Sequence, residues 1–181
     1  MYQGTFKNGW PEGKGKYTWK NGDYFYGGWK KGLKDGKGEL HLPVNGVDSV
    51  ISGYWKKGVY KGQYENPYII HNYSSDVGRV EINRMTGGKQ SSITLTVESL
   101  VGGGSIYAST NKSQLTGMTN LEVSRGSYMS KSTNTMTNKD VTTFQGVVFP
   151  FRAKFSFGNS MVEIELLQEG DWNITVPINN K

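Results

Sequence analysis

Two carboxylates and two histidines are the side chains of this 181-residue chain that could take part in catalysis. Glu163 and Glu165 alternate along one predicted strand, and paired carboxylates on one face can perform acid–base chemistry. On an exposed strand face such carboxylates more often keep a sheet soluble. His41 and His71 have no partner at the spacing of metal ligands. The sequence therefore predicts a protein that is not an enzyme, with no catalytic, cofactor-binding or metal-binding residues and no cofactor.

Lysines at recurring positions are the strongest candidates for a binding surface. Residues 1–65 hold eleven lysines and no arginine, against six acidic residues. Columns of lysines attract anionic partners such as acidic lipid headgroups, although lysine at turns and sheet edges also keeps a sheet soluble and blocks edge pairing. A tryptophan in a predicted turn adds an exposed aromatic anchor. The candidate binding surface consists of Lys7, Lys30, Lys56, Lys14, Lys37 and Trp10.

A repeat of 23 residues positions these lysines. Two-residue alternation and the Asn8-Gly9 turn predict one β-hairpin for each copy. Glycine leaves room for a ring from the facing strand and permits the positive φ of a turn. Stacked hairpins can bury a shared aromatic face. The repeat positions are Tyr2, Gly4, Phe6, Gly9, Gly13 and Gly15, then Phe25, Gly27, Trp29, Gly32, Gly36 and Gly38, then Gly53, Trp55, Gly58 and Gly62.

This pattern resembles the MORN repeat, and residues 1–65 look like three copies, near 2–22, 25–46 and 51–64. The third copy departs from the pattern at Ile51, which replaces an aromatic residue, and at Tyr64, which replaces a glycine. The resemblance implies an array that binds other proteins or membranes. MORN arrays also accompany lipid kinase and SET methyltransferase domains. This leaves open that the chain is an accessory fragment of a longer enzyme, such as a phosphatidylinositol phosphate kinase-like protein.

The remaining residues predict a second all-β region. A linker over residues 66–76 precedes a sandwich-like domain over 77–181. Alternating apolar residues predict strands around 92–97, 149–157 and 162–166, and the segments 162–166 and 172–176 form a predicted hairpin. The polar stretch 131–140 is expected to be a mobile loop. The fold class is therefore all-β, with a stacked-hairpin array followed by an antiparallel sandwich or barrel-like domain.

Composition restricts the remaining choices. The chain has a net charge of +6, no cysteine and no apolar stretch that could span a membrane. We expect a protein partner or an anionic membrane surface, and no nucleic acid. The Ser-, Thr- and Asn-rich second region suits a bacterial extracytoplasmic protein, so a structural cell-envelope module is a further alternative. The first copy begins at Tyr2 without a capping element, which favours a longer parent protein.

Overall fold

The structure is a computed structural model that describes residues 1–44, 47–85, 91–101, 117–136 and 139–180. All regular elements in these ranges are β-strands, so the fold is all-β, as the alternation of apolar residues predicts. The chain divides into two compact units, Met1–Pro67 and Tyr68–Lys181. Each unit is described by itself.

The first unit is one antiparallel sheet of six strands in chain order. Every copy of the repeat is a hairpin, and consecutive hairpins pair edge to edge. Strand β5 begins at Val47, before the predicted start of the third copy near Ile51, because its pairing with β4 continues into the preceding segment. The strands are β1 (Tyr2–Lys7), β2 (Trp10–Thr18), β3 (Tyr24–Lys30), β4 (Leu33–Val44), β5 (Val47–Lys56) and β6 (Val59–Gly62).

Rings and glycines share one side of this sheet, which we call the aromatic face. Phe25 is fully buried between Trp29 and Trp55, with ring centroids 5.4 and 4.9 Å away. Gly27 and Gly38 lie opposite each other in the register, and the Phe25 ring occupies the space that a side chain on either would need. The predicted role of the glycines, to make room for rings, is confirmed at this pair.

The three hairpin turns have the same backbone conformation. Both central residues of each turn have positive φ, which matches the right-handed twist of the flanking strands. Trp10, which the sequence places in a turn, is instead the first residue of β2, because the turn needs only two residues. The φ values are 52° and 79° at Asn8 and Gly9, 50° and 77° at Lys31 and Gly32, and 49° and 85° at Lys57 and Gly58.

The second unit consists of two sheets that enclose one hydrophobic core. One sheet has the order β10–β13–β14–β7, and the other has the order β11–β12–β9–β15–β8. Among the described strands of this unit only β15 and β9 pair in parallel. The strands are β7 (Tyr68–Tyr73), β8 (Glu81–Met85), β9 (Ile93–Val101), β10 (Asn120–Ser127), β11 (Ser130–Met136), β12 (Lys139–Gln145), β13 (Val148–Phe157), β14 (Ser160–Leu166) and β15 (Asp171–Asn180).

Alternate residues of both sheets fill this core. Phe144 of β12 packs against Phe155 of β13 across the two sheets, with ring centroids 6.0 Å apart. Trp172 of β15 is buried and donates its indole N–H to the Gln168 carbonyl at 3.0 Å. The inward faces that alternation predicts for three segments are confirmed by the burial of Ile93, Leu95, Val97, Phe151, Ala153, Phe155, Phe157, Val162, Ile164 and Leu166.

Two stretches form edge strands where the sequence predicts irregular chain. Residues 130–136 form β11, which pairs with β12, although the segment 131–140 is predicted to be a mobile loop. Residues 68–73 form β7, which pairs with β14, although the segment 66–76 is predicted to be a linker. Both strands lie at a sheet edge and are largely exposed. Since neither buries a whole face, backbone pairing holds them without an apolar alternation that sequence could reveal.

The hairpin predicted for segments 162–166 and 172–176 is also wrong. The two segments lie in β14 and β15, which belong to different sheets. β14 pairs with β13 and β7, whereas β15 pairs with β8 and β9. The chain crosses from one sheet to the other between these strands because both have an apolar face, and each buries that face from its own side of the core.

Candidate functional site

Five lysines from all three copies lie on the side of the first sheet opposite the aromatic face. In β3 the buried Trp29 is followed by Lys30, and in β5 the buried Trp55 is followed by Lys56. Successive strand residues point to opposite sides of a sheet, so each of these lysines points away from the rings. The same alternation applies in the other strands. We call this side the basic face; its predicted binding lysines are Lys7, Lys14, Lys30, Lys37 and Lys56, and Lys16 also lies on it.

The lysines of the basic face differ in their ion pairs. Lys56 pairs with Asp35, with Nζ and Oδ1 3.2 Å apart. Within the described ranges the other four of the five predicted lysines have no carboxylate within ion-pair distance. Four of the five ammonium groups are therefore available to an external anion.

A row of stacked side chains crosses the basic face between these lysines. The Nζ of Lys16 lies 3.7 Å from the Tyr24 ring centroid, and the Tyr24 ring stacks on His41 at 4.2 Å. His41 Nδ1 is 2.6 Å from Asp48 Oδ2. Tyr26 lies on the same face and is 53% exposed. This row was not predicted from the sequence, although the alternation of Tyr24 and Tyr26 was its signal.

Trp10 lies at the turn end of the first unit. Its side chain is 60% exposed, and its ring packs over the turn glycine Gly32 of the next copy. Together with Lys7, Lys30 and Lys31 it lines a cleft of about 520 Å³. The structure thus brings three of the six predicted site residues to one cleft, while the other three lie elsewhere on the basic face.

Consecutive copies are joined at their turns by a repeated set of contacts, which we call the turn clamp. At the first junction the backbone N–H of Lys31 donates to the Glu12 carboxylate at 2.9 Å. The N–H of Gly32 donates to the carbonyl of Pro11 at 3.0 Å. The preceding copy thus binds both central amides of the turn that follows it.

The second junction repeats the turn clamp. The N–H of Lys57 donates to the Asp35 carboxylate at 3.4 Å, and the N–H of Gly58 donates to the carbonyl of Lys34 at 2.9 Å. Hydrogen bonds to charged acceptors are stronger than neutral ones, so these acids help to fix the register between copies. Neither acid was predicted from the sequence as a contact between copies; the signal is an acidic residue directly before a repeat glycine in two copies.

In the second unit the buried carboxylate of Glu165 lies between a histidine and an arginine. Glu165 accepts from His71 Nε2 at 2.9 Å and from Arg125 Nη1 at 3.1 Å, and its side chain is 9% exposed. The hydrogen bond from His71 is the largest cause that lowers the pKa of Glu165, and it outweighs the opposing effect of burial. Glu163 is paired with Arg152 at 2.8 Å. Both candidate acid–base residues therefore hold strands together.

We expect Glu165→Gln to lower the stability of the second unit by about 1–2 kcal/mol at pH 7, since a buried charged hydrogen bond is lost. A carboxyl whose folded pKa is lowered stabilises the fold above its ordinary pKa and loses that contribution as the pH falls through the lowered pKa. The difference between wild type and variant should therefore shrink on acidification. Urea unfolding at several pH values measures it. Glu122→Gln, which removes an exposed pair with Lys154, should change little.

Other chemistry-bearing groups are few in the part of the chain that the structure describes. There, no three His, Asp or Glu side chains gather closely enough to hold a metal ion. Each histidine is within hydrogen-bond distance of a carboxylate. No helix in these residues is long and apolar enough to cross a membrane. The basic face and the turn end of the first unit are therefore the main candidates for a binding site.

Comparison with known proteins identifies the type of repeat in the first unit. The family model of the MORN repeat matches residues 2–24 and 25–47. Alsin from Rattus norvegicus, Mus musculus and Homo sapiens is 37% identical to this chain over 65 residues, which cover 34% of this chain. The match spans 4% of the length of these relatives. No solved structure matches the chain. The first unit of this protein therefore carries MORN repeats.

Proposed function

We propose that the first unit is a non-enzymatic binding module that associates with an anionic membrane surface through its basic face. One observation carries the proposal: lysines from three successive copies share one side of a single sheet, and four of them have no carboxylate partner in the described ranges. MORN repeats are typically modules of protein or membrane association, which agrees with a role in binding rather than in catalysis.

The side chains of this surface favour a membrane over a structured anionic partner. Lysine is a flexible point charge, whereas arginine provides the fixed fork that recognises individual carboxylates and phosphates. The first unit contains no arginine. The exposed rings of Trp10 and Tyr26 have an apolar body and a polar group, and such rings are favoured at the headgroup level of a bilayer. Spread positive charge with amphipathic rings suits a lipid surface.

A protein partner is the second candidate, and a feature of the aromatic face favours it. A depression of about 300 Å³ on this side is lined by Trp19, Trp29 and Leu33 among others. Such a depression could hold an apolar side chain of a partner. In a longer protein, either surface would position an attached domain, which is how an accessory fragment of an enzyme would act.

Liposome co-sedimentation tests the membrane proposal. We expect the protein to pellet with vesicles of phosphatidylserine and phosphatidylcholine at low salt, less at physiological salt, and not with phosphatidylcholine alone. Each lysine near an anionic surface contributes about 1 kcal/mol. Lys14→Gln with Lys37→Gln should therefore weaken binding about thirty-fold, and the fold is checked by circular dichroism.

The matched control removes two exposed lysines outside the basic face, Lys20→Gln with Lys131→Gln. This control variant changes the net charge by the same amount and should bind within about threefold of wild type. Charges that lie more than a Debye length from the membrane surface are largely screened by salt. If the two double variants lose binding equally, the attraction is that of net charge and the basic face is not a site. If the wild-type protein pellets with neither kind of vesicle, the aromatic face and a protein partner become the next candidates.

A further inference from the structure

We propose that Lys34 and an apolar depression beside it bind a segment of a partner protein in which an aspartate or glutamate lies close to a large apolar residue. Such a site rests on the second candidate function, association with a protein, whose partner it specifies. It lies on the aromatic face, opposite the lysines that bind liposomes in the membrane proposal, so the two functions can fail separately.

Lys34 holds its ammonium group over the rings of the aromatic face. Its Nζ lies 5.4 Å from the ring centroid of Trp19 and 5.3 Å from that of Phe25, which is within the range of a cation–π contact. The residue is half-buried. The equivalent residues of the other two copies are Pro11 and Tyr60, so the repeat itself does not require a lysine here. The positive charge is a feature of this one place on the face.

No acid of the described residues neutralises this charge. Within the ranges that the structure describes, no carboxylate lies within ion-pair distance of Lys34. The two acids of the turn clamp are bound elsewhere: Asp35 pairs with Lys56, and Glu12 accepts from the amide of Lys31. Burial lowers the pKa of the Lys34 ammonium group. Removing a charge from water costs free energy unless it is paired, so a carboxylate of a partner would stabilise this lysine.

An apolar depression adjoins the ammonium group. Its volume is about 300 Å³, at the lower end of the range for pockets that hold small ligands or apolar side chains. Among its lining residues Lys34 carries the only charge, and the others are two tryptophans, a tyrosine, a leucine, a proline and two glycines. A ligand that uses both features must combine an apolar group with one negative charge.

The extent of this surface favours a protein segment over a small molecule. Tyr17, Trp19 and Lys34 also line a second depression, which continues to Leu40 and Leu42. A cation therefore lies between two apolar areas on an open sheet face. A small ligand is normally enclosed over most of its surface, whereas a chain segment can place successive side chains along such a face. Tryptophan and tyrosine are also enriched in surfaces that bind proteins.

Two pentapeptides with blocked ends are the probes. Gly-Phe-Ser-Glu-Gly carries an apolar residue and an acid two positions apart, which an extended chain presents on the same side. The second peptide has glutamine in place of glutamate. We expect saturable shifts of the indole N–H signals of Trp19 and Trp29 in NMR titrations of the full chain. The glutamine peptide should bind about fivefold more weakly, because it lacks the ion pair with Lys34. Absence of saturable binding, or equal affinities of the two peptides, would overturn the proposal.

Lys34→Met assigns the preference to one side chain. Methionine keeps an apolar stem over the rings but removes the charge, so both peptides should bind to this variant with equal affinity. Lys37→Met is the matched control, since it removes the charge of an exposed lysine on the opposite face of the same strand. This control should keep the fivefold preference. If Lys34→Met keeps the preference, or if both variants lose it equally, the acid does not bind at Lys34.

The titration of Lys34 supplies a readout that a change in packing would not reproduce. A carboxylate beside an ammonium group raises its pKa. The Cε signal of Lys34 should therefore titrate at higher pH with the glutamate peptide bound, and an unchanged titration would contradict the ion pair. Lys34→Met should also leave liposome pelleting unchanged. A loss of pelleting equal to that of Lys14→Gln with Lys37→Gln would mean that Lys34 meets the membrane, which contradicts a protein partner.

Discussion

Replacing Phe25 with alanine is expected to lower the free energy of unfolding of the first unit by about 3–5 kcal/mol. Phe25 is fully buried and contacts the rings of Trp29 and Trp55. In the described part of the first unit these three side chains form the buried cluster, with Tyr2, Tyr17, Trp19 and Leu40 packed against it, so loss of the central ring leaves a cavity. A unit of this size has a total stability of about 3–10 kcal/mol. The variant should therefore be largely unfolded near 37 °C.

Tryptophan fluorescence during urea unfolding measures this effect, because four of the chain's five tryptophans belong to the first unit. Phe6→Ala is the matched control. Phe6 occupies the equivalent repeat position to a buried ring but is 59% exposed, so its loss should reduce stability by less than about 1 kcal/mol. Equal effects of the two substitutions would mean that the Phe25 cluster is not the core of the first unit.

The second large effect is expected for Gly27→Ala. A Cβ on Gly27 would lie 2.5 Å from the Gly38 Cα and 2.7 Å from the Lys37 carbonyl oxygen. Both are main-chain atoms of the paired strand β4, so relief requires strands β3 and β4 to separate and the Phe25 ring to move. Overpacking of this kind costs about 3 kcal/mol. The same unfolding measurement should show the loss, and fewer protected amides in β3 and β4.

Gly9→Ala separates steric conflict from backbone preference. Gly9 has a φ of 79°, but nothing lies within 4 Å of a Cβ placed there. Alanine at this turn should therefore cost only the left-handed conformation, about 1–2 kcal/mol. If Gly9→Ala lowers the free energy of unfolding as much as Gly27→Ala, the repeat glycines serve chiefly for backbone conformation. That result would contradict the packing of a ring over Gly27 as the reason for glycine there.

These variants also separate folding from binding. The basic face depends on the register of the first sheet, so Phe25→Ala should abolish liposome binding together with the fold. Lys14→Gln with Lys37→Gln should weaken liposome binding at unchanged stability, because both lysines are exposed or half-buried and unpaired in the described structure. Only the second result assigns a function to the basic face.

Spacing alone was sufficient to predict the hairpins of the first unit. Side chains of a strand alternate between two sides, so a repeat with aromatic residues and glycines at intervals of two specifies which side is buried. Lysines at the intervening positions were predicted as columns for the same reason. The burial of Trp29 could not be predicted from the repeat, because it depends on contacts with the rings of a neighbouring strand, such as Tyr17.

The second unit shows where alternation is insufficient. Strand β13 was predicted well because its apolar residues face one core. Strands β7 and β11 escaped prediction because exposed edge strands need only backbone hydrogen bonds. The pairing partner of each strand was not predicted either: β14 and β15 have the same apolar alternation, yet they lie in different sheets. Alternation fixes the side of a strand that is buried and carries no information about its neighbour.

The amino-acid sequence by itself determined the all-β class, the hairpin of each repeat and the side of the sheet that carries the lysines, since all of these follow from local spacing. Tertiary structure decided which lysines have a carboxylate partner, how Glu165 meets His71 and Arg125 from distant strands, and that Glu12 and Asp35 bind the turn amides of the copies that follow them. These depend on contacts between residues far apart in the chain, which residue spacing within one strand does not specify.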